Sequence, residues 1–273
     1  MNRSKYSANL IMKALHNHSE GHGGYFTSVT GGMGSYKSGC LLFFAEYILN
    51  NYKKEKVFFS EAYDAPLQTL GKLPKNKVQL WIQKDSNVYF RDRSTGKEVD
   101  LGAKMFKGFH DLYRESKPGI VNVPFFGDRL KWMDFISFLR EESNWDDVFV
   151  DEFSELCPAH QGGEPLKKII NFSSVCKDIR KCKMNVMFNT QNSTLIDYRI
   201  NALVMCRIYL PGAVVSKIGR VKQNAVDCLL KGENGGNRAW VEMPGIFGLT
   251  QFKVYYEPKK GQDYDAKIRK LSN

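Results

Sequence analysis

The sequence predicts an α/β domain with a central, mainly parallel β-sheet flanked by helices. Two observations predict this fold class. Segments rich in β-branched and aromatic residues alternate with segments of helical period through the middle of the chain. The apolar run 148–150 shows no polar alternation, which is typical of a strand covered on both faces. Strands and helices in alternation favour parallel strands joined by helical crossovers.

The predicted elements form one domain, residues 24–258. Strands are predicted at GYFTSVT (24–30), KVFFSEAY (56–63), GIVNVPFF (119–126), VFV (148–150), MNVMFNTQ (184–191), VMCRIYL (204–210), RAWVEMP (238–244) and QFKVYYEP (251–258). Helices are predicted at KSGCLLFFAEYILNNY (37–52), MFKGFHDLYRES (105–116), LKWMDFISFLREES (130–143) and EPLKKIINFSSVCKDIRKC (164–182). The strand-like segments KVQLWIQ and VYFRDR, separated by KDSN, predict a small β-hairpin insertion near residues 77–93.

Both ends of the chain are polar. Residues 1–23 include KYSANLIMKAL, which predicts a short basic helix, and we expect this N-terminal segment to be flexible. Residues 259–273 predict a charged, mobile tail.

Composition narrows the class of partner. The chain has 273 residues, of which 42% are hydrophobic, so it can bury a large core and is not a disordered protein. Its formal net charge is +11. A positive excess of this size favours a polyanion such as DNA or RNA, or an anionic membrane surface.

The cysteines and the apolar runs indicate the compartment. None of the six cysteines forms a CxxC pair, which argues against a zinc ribbon or a disulfide framework and for reduced thiols. No apolar run approaches the ~18 residues that span a bilayer. The N-terminal apolar stretch is too short and too charged for a secretory signal. We therefore expect a cytoplasmic protein.

The stretch TGGMGSYKSG (30–39) resembles a phosphate-binding loop. Such a loop follows a strand, wraps phosphates in backbone N–H groups and opens a helix, whose lysine neutralises phosphate charge and whose serine binds Mg²⁺. The residues predicted to bind the nucleotide are Gly31, Gly32, Met33, Gly34, Ser35, Tyr36, Lys37, Ser38 and Gly39. Tyr36 stands where the pattern has its last glycine. Either the loop binds ATP with an unusual residue, or it is a degenerate loop without hydrolysis.

Two carboxylates follow a buried strand in VFVDEF (148–153). At such a position Asp151 is predicted to hold Mg²⁺ together with Ser38, and Glu152 is predicted to act as the general base on the attacking water. The alternative is an ordinary strand end with two surface carboxylates.

A third motif ends the strand in NVMFNTQ (185–191). If that strand lies beside the acidic one, Gln191 would face the γ-phosphate and could orient water or respond to loss of phosphate. The alternative is a helix N-cap region, because Asn192, Ser193 and Thr194 follow.

In this order the three motifs resemble the FtsK–HerA superfamily of DNA-pumping ATPases. That superfamily includes viral genome-packaging ATPases, conjugation ATPases and Zot-like assembly proteins of filamentous phages. The similarity covers about residues 24–212. It implies a RecA/FtsK-like phosphate-loop fold, ATP and Mg²⁺ as ligands, and an oligomeric ring that moves double-stranded DNA without sequence preference, with a capsid or portal protein as a further possible partner.

The resemblance also implies an arginine that reaches into the neighbouring subunit's ATP. Arg180, just before the third motif, is at the matching position, and a guanidinium supplied in trans would stabilise the transferring phosphoryl group. The alternative is that Arg180 belongs to a basic helix end that complements the helix dipole. Arg129 and Arg140 are weaker candidates for the same role.

Two departures from the family pattern shape the functional hypotheses. Tyr36 alters the loop, and the membrane helix usual in Zot-like proteins is not evident in the sequence. We therefore favour an ATP-driven DNA translocase acting in viral genome packaging or DNA transfer. The alternatives are a Zot-like morphogenesis ATPase acting on protein partners, and a module that binds nucleotide or nucleic acid without hydrolysing ATP.

Overall fold

The structure is a computed structural model, and it describes residues 5–52, 56–61, 67–125, 128, 130–142, 146–179, 181–218, 220–229, 236–243, 248–255 and 263–268. Its strands are β1 Phe26–Thr30, β2 Lys56–Ser60, β3 Val78–Gln83, β4 Val88–Asp92, β5 Glu98–Val99, β6 Lys104–Phe106, β7 Gly119–Asn122, β8 Asp147–Val150, β9 Asn185–Thr190, β10 Cys206–Tyr209, β11 Gly236–Met243, β12 Gly248–Tyr255 and β13 Tyr264–Ile268. Its helices are α1 Lys5–His22, α2 Lys37–Asn51, α3 Gln68–Lys72, α4 Phe109–Glu115, α5 Lys131–Glu142, α6 Gly163–Asp178, α7 Tyr198–Asn201 and α8 Gln223–Asp227. Across these ranges, no helix combines the length and the apolar character that crossing a membrane demands.

Ten strands form one sheet in the order β12-β11-β10-β1-β9-β8-β2-β7-β3-β6. Every neighbouring pair from β10 to β6 is parallel, and β11 and β12 extend the sheet antiparallel beyond β10. The predicted α/β fold with a mainly parallel central sheet is confirmed.

Both faces of the sheet are covered, which explains the continuous apolar runs. Phe58 belongs to a core cluster on one face, with Trp132 and Phe135 of α5. Phe59, its neighbour in β2, belongs to the cluster on the other face, with Leu41 and Phe44 of α2. Because successive strand residues point to opposite faces, a strand buried on both sides needs apolar residues at every position.

The N-terminal segment differs from the flexible chain that we predicted. Helix α1 extends to His22, and Ile11, Met12 and Leu15 are fully buried in the same cluster as α2. Burying three large side chains contributes several kcal/mol at about 1.5–3 kcal/mol each, which is enough to order a helix of polar average composition.

The β-hairpin predicted near residues 77–93 lies later in the chain than predicted, at residues 88–99. Strand β3 belongs to the large sheet, where it pairs in parallel with β7 and β6. Strand β4 instead forms a separate three-stranded sheet with β5 and β13. The hairpin therefore consists of β4 and β5, and part of the predicted mobile tail is strand β13.

Candidate nucleotide-binding site

The predicted functional motifs meet at one edge of the large sheet. Strands β1, β8, β9 and β2 are parallel neighbours, so the residues that follow their last positions lie side by side. The phosphate loop follows β1, Asp151 and Glu152 follow β8, and Gln191 follows β9. This is the edge at which open α/β sheets bind their ligands.

The loop is tied to the strand ends on either side of β1. Gly31 donates its N–H to the Thr190 carbonyl at 3.2 Å, and Gly32 donates to the Pro211 carbonyl at 3.0 Å. A Cβ on Gly32 would lie 2.9 Å from the carbonyl oxygen of Gly212. Gly32 is therefore required by a close approach of two backbones, beyond any role in holding phosphate.

Tyr36 adopts the backbone conformation that a glycine would supply. Its φ is 61° and its ψ is 35°, in the left-handed region, and it immediately precedes α2 as the N-cap. The residue is 43% exposed, so its ring is not enclosed by the turn of the loop. The departure from the loop pattern costs about 1–2 kcal/mol of backbone strain and leaves the turn intact.

Lys37 points back over the loop. The residue is 8% exposed, and its Nζ donates to the carbonyl of Gly32 at 3.4 Å. The same Nζ lies 4.0 Å from Oε1 of Glu152. A mostly buried ammonium beside backbone N–H groups and a helix N-terminus gives the loop the positive potential that phosphate oxygens require.

Ser38 and Asp151 are in direct contact. The Ser38 hydroxyl donates to Oδ1 of Asp151 at 2.8 Å, and Asp151 is only 2% exposed. A hydroxyl and a carboxylate at the loop form the oxygen donor set that suits Mg²⁺, which binds through one or two protein oxygens, phosphates and water. The pair therefore fits the metal role predicted for both residues.

Asn189, in β9, was missed by the sequence analysis. Its Nδ2 donates to Oδ1 of Asp151, and its Oδ1 accepts the backbone N–H of Glu152 at 2.8 Å. One buried amide thus positions both carboxylates. The only sequence signal for Asn189 was weak, because it is one of several polar residues in a strand that is buried at every position, two positions before Gln191.

Glu152 is held in an unusual backbone conformation beside Lys37 and Gln191. Its φ is 51°, in the left-handed region, and Nε2 of Gln191 donates to its Oε1 at 3.4 Å. Burial, and then the charge of Asp151, raise the pKa of Glu152 above its ordinary value, whereas Lys37 and Gln191 oppose that shift. A carboxylate with a raised pKa is a better proton acceptor than a solvated glutamate.

A second buried carboxylate lies at the end of the neighbouring strand. Glu61 follows β2 and is 3% exposed. Its carboxylate accepts hydrogen bonds from the Thr69 N–H and hydroxyl, both at 2.8 Å, and from the Asn122 amide. Burial raises the pKa of Glu61 to about 7, with a smaller contribution from Asp151 in the same direction.

The site brings together most of the predicted residues. Ser38 contacts Asp151, and Lys37 and Gln191 contact Glu152. Asn189 joins the two groups into one contact network. Met33 is 78% exposed at the tip of the loop.

The arginine candidates are not part of that network. Arg180 and Arg129 lie outside the described residues. Arg140 is near the C-terminal end of α5, where it is 3.5 Å from Asp178 and 3.2 Å from Glu141. Because α5 ends before β8 begins, Arg140 lies toward the sheet edge opposite the phosphate loop.

Solved structures with this fold include a viral packaging enzyme. The genome-packaging NTPase B204 from Sulfolobus turreted icosahedral virus 2, in complex with ATP-gammaS, matches with TM-score 0.55 and 9% identity over 85% of this chain and 98% of that one. This chain has the fold of a viral genome-packaging NTPase. The complex of B204 with AMPPCP matches with TM-score 0.53 and 10% identity, over 85% and 98% of the two chains. These two structures share the fold of this chain, which is the α/β fold with a mainly parallel sheet that the sequence predicts.

Other comparisons add little. The N-terminal domain of zonular occludens toxin from Neisseria meningitidis matches with 13% identity over 86% of each chain, but its TM-score of 0.36 is too low to show a shared fold. No protein-family model and no curated protein matches the sequence.

Proposed function

We propose that the chain is an ATP-hydrolysing motor that moves double-stranded DNA as part of an oligomeric ring, in genome packaging or DNA transfer. The contact network at the loop is the observation that supports the proposed ATP hydrolysis. Glu152 lies between Lys37 of the loop and Gln191 of the next strand, while Ser38 contacts Asp151. A base, a phosphate-binding cation and a metal-binding pair occupy one sheet edge.

The residues divide the reaction between them. The loop N–H groups hold the phosphates, and Lys37 exchanges its contact with the Gly32 carbonyl for phosphate oxygens. Mg²⁺, held through Ser38 and Asp151, would neutralise charge that develops on the phosphates. Glu152 accepts a proton from the attacking water, and Gln191 orients that water beside it.

The left-handed backbone of Tyr36 bears on whether the loop can hold phosphate. The residue adopts the conformation that a glycine would supply, and it is 43% exposed, so its ring is not enclosed by the turn. This geometry supports phosphate binding by the loop, on which the proposed hydrolysis depends.

Two further features support DNA as the substrate. The net charge of +11 suits a partner with a phosphate backbone. The similar solved structures with ATP-gammaS and AMPPCP are of a genome-packaging NTPase. In a ring, Arg180 of one subunit would stabilise the phosphoryl group in the next, which is the role that we propose for it.

The first test is steady-state ATP hydrolysis by the purified chain at low salt, with and without duplex DNA. We expect turnover that duplex DNA increases. Turnover that is indifferent to DNA but increased by a coat or membrane protein would favour the Zot-like alternative. ATP binding without turnover, even in the presence of DNA, would contradict the proposed function.

A further inference from the structure

A row of lysines lies at the opposite edge of the sheet from the phosphate loop. Strands β7, β3 and β6 are parallel neighbours, and lysines stand at or just before the amino end of each. These residues are Lys117 before β7, Lys75 and Lys77 before β3, and Lys104 at the start of β6. With strands about 4.8 Å apart, the row extends for about 10 Å.

The four lysines are exposed, and within the described part of the chain none forms an ion pair with a carboxylate, although Glu46 lines a neighbouring cavity with Lys77. Lysines around α6 contrast with them: Lys167, Lys168 and Lys181 each lie within 4.0 Å of an acidic side chain. The charge at the amino edge is therefore available to an external anion.

A cavity of about 270 Å³ opens within this row. Lys75 and Lys104 line it, together with Leu80, Leu101 and Tyr264, and its described lining contains no carboxylate. It lies between the first half of β3 and the three-stranded sheet. Its volume equals that of roughly nine water molecules at ~30 Å³ each, which leaves room for a planar heterocycle.

The lysine row is anchored to the cavity wall by two hydrogen bonds. Gln79, which lines the cavity, donates from Nε2 to the Lys117 carbonyl at 2.6 Å and accepts the Lys117 N–H at 2.9 Å. The Nζ of Lys104 lies 5.2 Å from the ring centroid of buried Trp81, on the face of β3 opposite to Leu80. The positions of these two lysines are thus set by the fold at the edge of the sheet.

We propose that this cleft binds a single-stranded nucleic acid segment, with phosphates on the lysine row and one unstacked base in the cavity. A row of about 10 Å matches the three intervals between four phosphates of a stacked strand, at about 3.4 Å each. The apolar wall and Tyr264 favour a single strand over a duplex, because only an unstacked base can enter and stack. This inference rests on the proposed nucleic-acid partner, but it concerns a different surface and a different form of that partner.

The test compares two triple variants with the same change in charge. One carries Lys75→Gln, Lys77→Gln and Lys104→Gln, and the matched control carries Lys167→Gln, Lys168→Gln and Lys181→Gln. Each is titrated with a fluorescein-labelled oligothymidylate and with a labelled duplex of equal length, by anisotropy at several KCl concentrations. Circular dichroism and melting temperature confirm that each variant is folded.

We expect the first variant to bind the oligothymidylate at least about tenfold more weakly, with a salt slope lower by about 2, since each phosphate contact contributes about 0.7 for a single strand. The control should change affinity by less than about twofold. A Leu101→Glu variant, with a carboxylate in the cavity wall, should weaken single-strand binding more than duplex binding.

Equal losses in the two triple variants would overturn the lysine row as a site. Equal losses for the oligothymidylate and the duplex would overturn the single-strand assignment. The proposed motor is judged separately, by whether duplex DNA increases ATP hydrolysis in the wild-type protein. If it does, and the two triple variants bind the oligothymidylate alike, the cleft is wrong and the motor stands; if the wild type binds neither nucleic acid, both proposals fail.

Discussion

The Ser38 hydroxyl donates a 2.8 Å hydrogen bond to Asp151, a residue 113 positions further along the chain. The contact joins the start of α2, which follows β1, to the end of β8 across β9. It brings the phosphate loop and the acidic pair into one site.

Glu152→Gln tests the proposed general base. The amide keeps the size and the contact with Gln191 but cannot accept a proton, so we expect ATP turnover to fall by at least about hundredfold while ATP still binds. Turnover and fluorescent-nucleotide binding measure the two effects. Glu155→Gln, which changes an exposed carboxylate three residues away, is the control and should retain activity. Unchanged turnover in Glu152→Gln would remove Glu152 from the mechanism.

Asn189→Ala tests the amide that positions both carboxylates. The change removes the donor to Asp151 and the acceptor of the Glu152 N–H, and each unsatisfied buried group costs about 1–3 kcal/mol. We expect lower stability to urea and a loss of the advantage that Mg²⁺ gives to ATP binding. The ratio of ATP affinities with and without Mg²⁺ separates positioning from mere destabilisation. Asn51→Ala, at an exposed amide, should leave that ratio unchanged, and an unaltered ratio in Asn189→Ala would assign Asn189 a structural role only.

Substitutions at Tyr36 test whether backbone strain is the only effect that a tyrosine has at this position of the loop. Glycine adopts the left-handed region freely, so Tyr36→Gly should keep ATP binding and stability within about 1 kcal/mol of wild type. A β-branched residue is least compatible with this conformation, and Tyr36→Val should lose about 1–2 kcal/mol of stability. Urea unfolding gives both values. If Tyr36→Gly abolished ATP binding, the tyrosine ring itself would be a ligand contact.

Glu61→Gln tests the buried carboxylate beside the site. Burial raises the pKa of Glu61 to about 7 in the folded protein, against about 4.3 in an unfolded chain. The folded state therefore binds more protons between these values, and the stability due to this group is present at low pH and lost as pH rises through about 7. From pH 5 to pH 8 we expect the free energy of unfolding of wild type to fall by roughly 2–3 kcal/mol more than that of Glu61→Gln. Parallel pH profiles in urea unfolding would show that Glu61 is ionised throughout.

The sequence predicted those parts of the site that consist of residues close together along the chain. Lys37 and Ser38 follow a strand and a glycine-rich turn, and Asp151 and Glu152 end an apolar run, so each motif is complete within a short segment. Parallel order then places these strand ends at one edge, as the structure confirms.

Contacts between distant segments were not predictable. Asn189 is informative only once β9 is known to lie beside β8, and Glu61 only once β2 is known to lie on the other side. The hairpin was wrongly predicted from β3 and β4 for the same reason. Strand β4 pairs with Tyr264–Ile268, a segment that the sequence assigns to a mobile tail. The length and burial of helix α1 were underestimated because its mean composition is polar. Nevertheless Ile11, Met12 and Leu15 share one buried face.

The hydrogen-bonded order of the large sheet limits how the protein can respond to nucleotide. Strands β9, β8 and β2 are consecutive neighbours between β1, which precedes the phosphate loop, and β7, where the lysine row begins, and their side chains are packed on both faces. A shift of one strand against the next would break backbone pairs and open voids in two cores, each at a cost of kcal/mol. We therefore expect the sheet to move as one rigid body. In the proposed ring, a conformational change that follows hydrolysis would lie in the loops at the edges of the sheet and in the orientation of one subunit against the next.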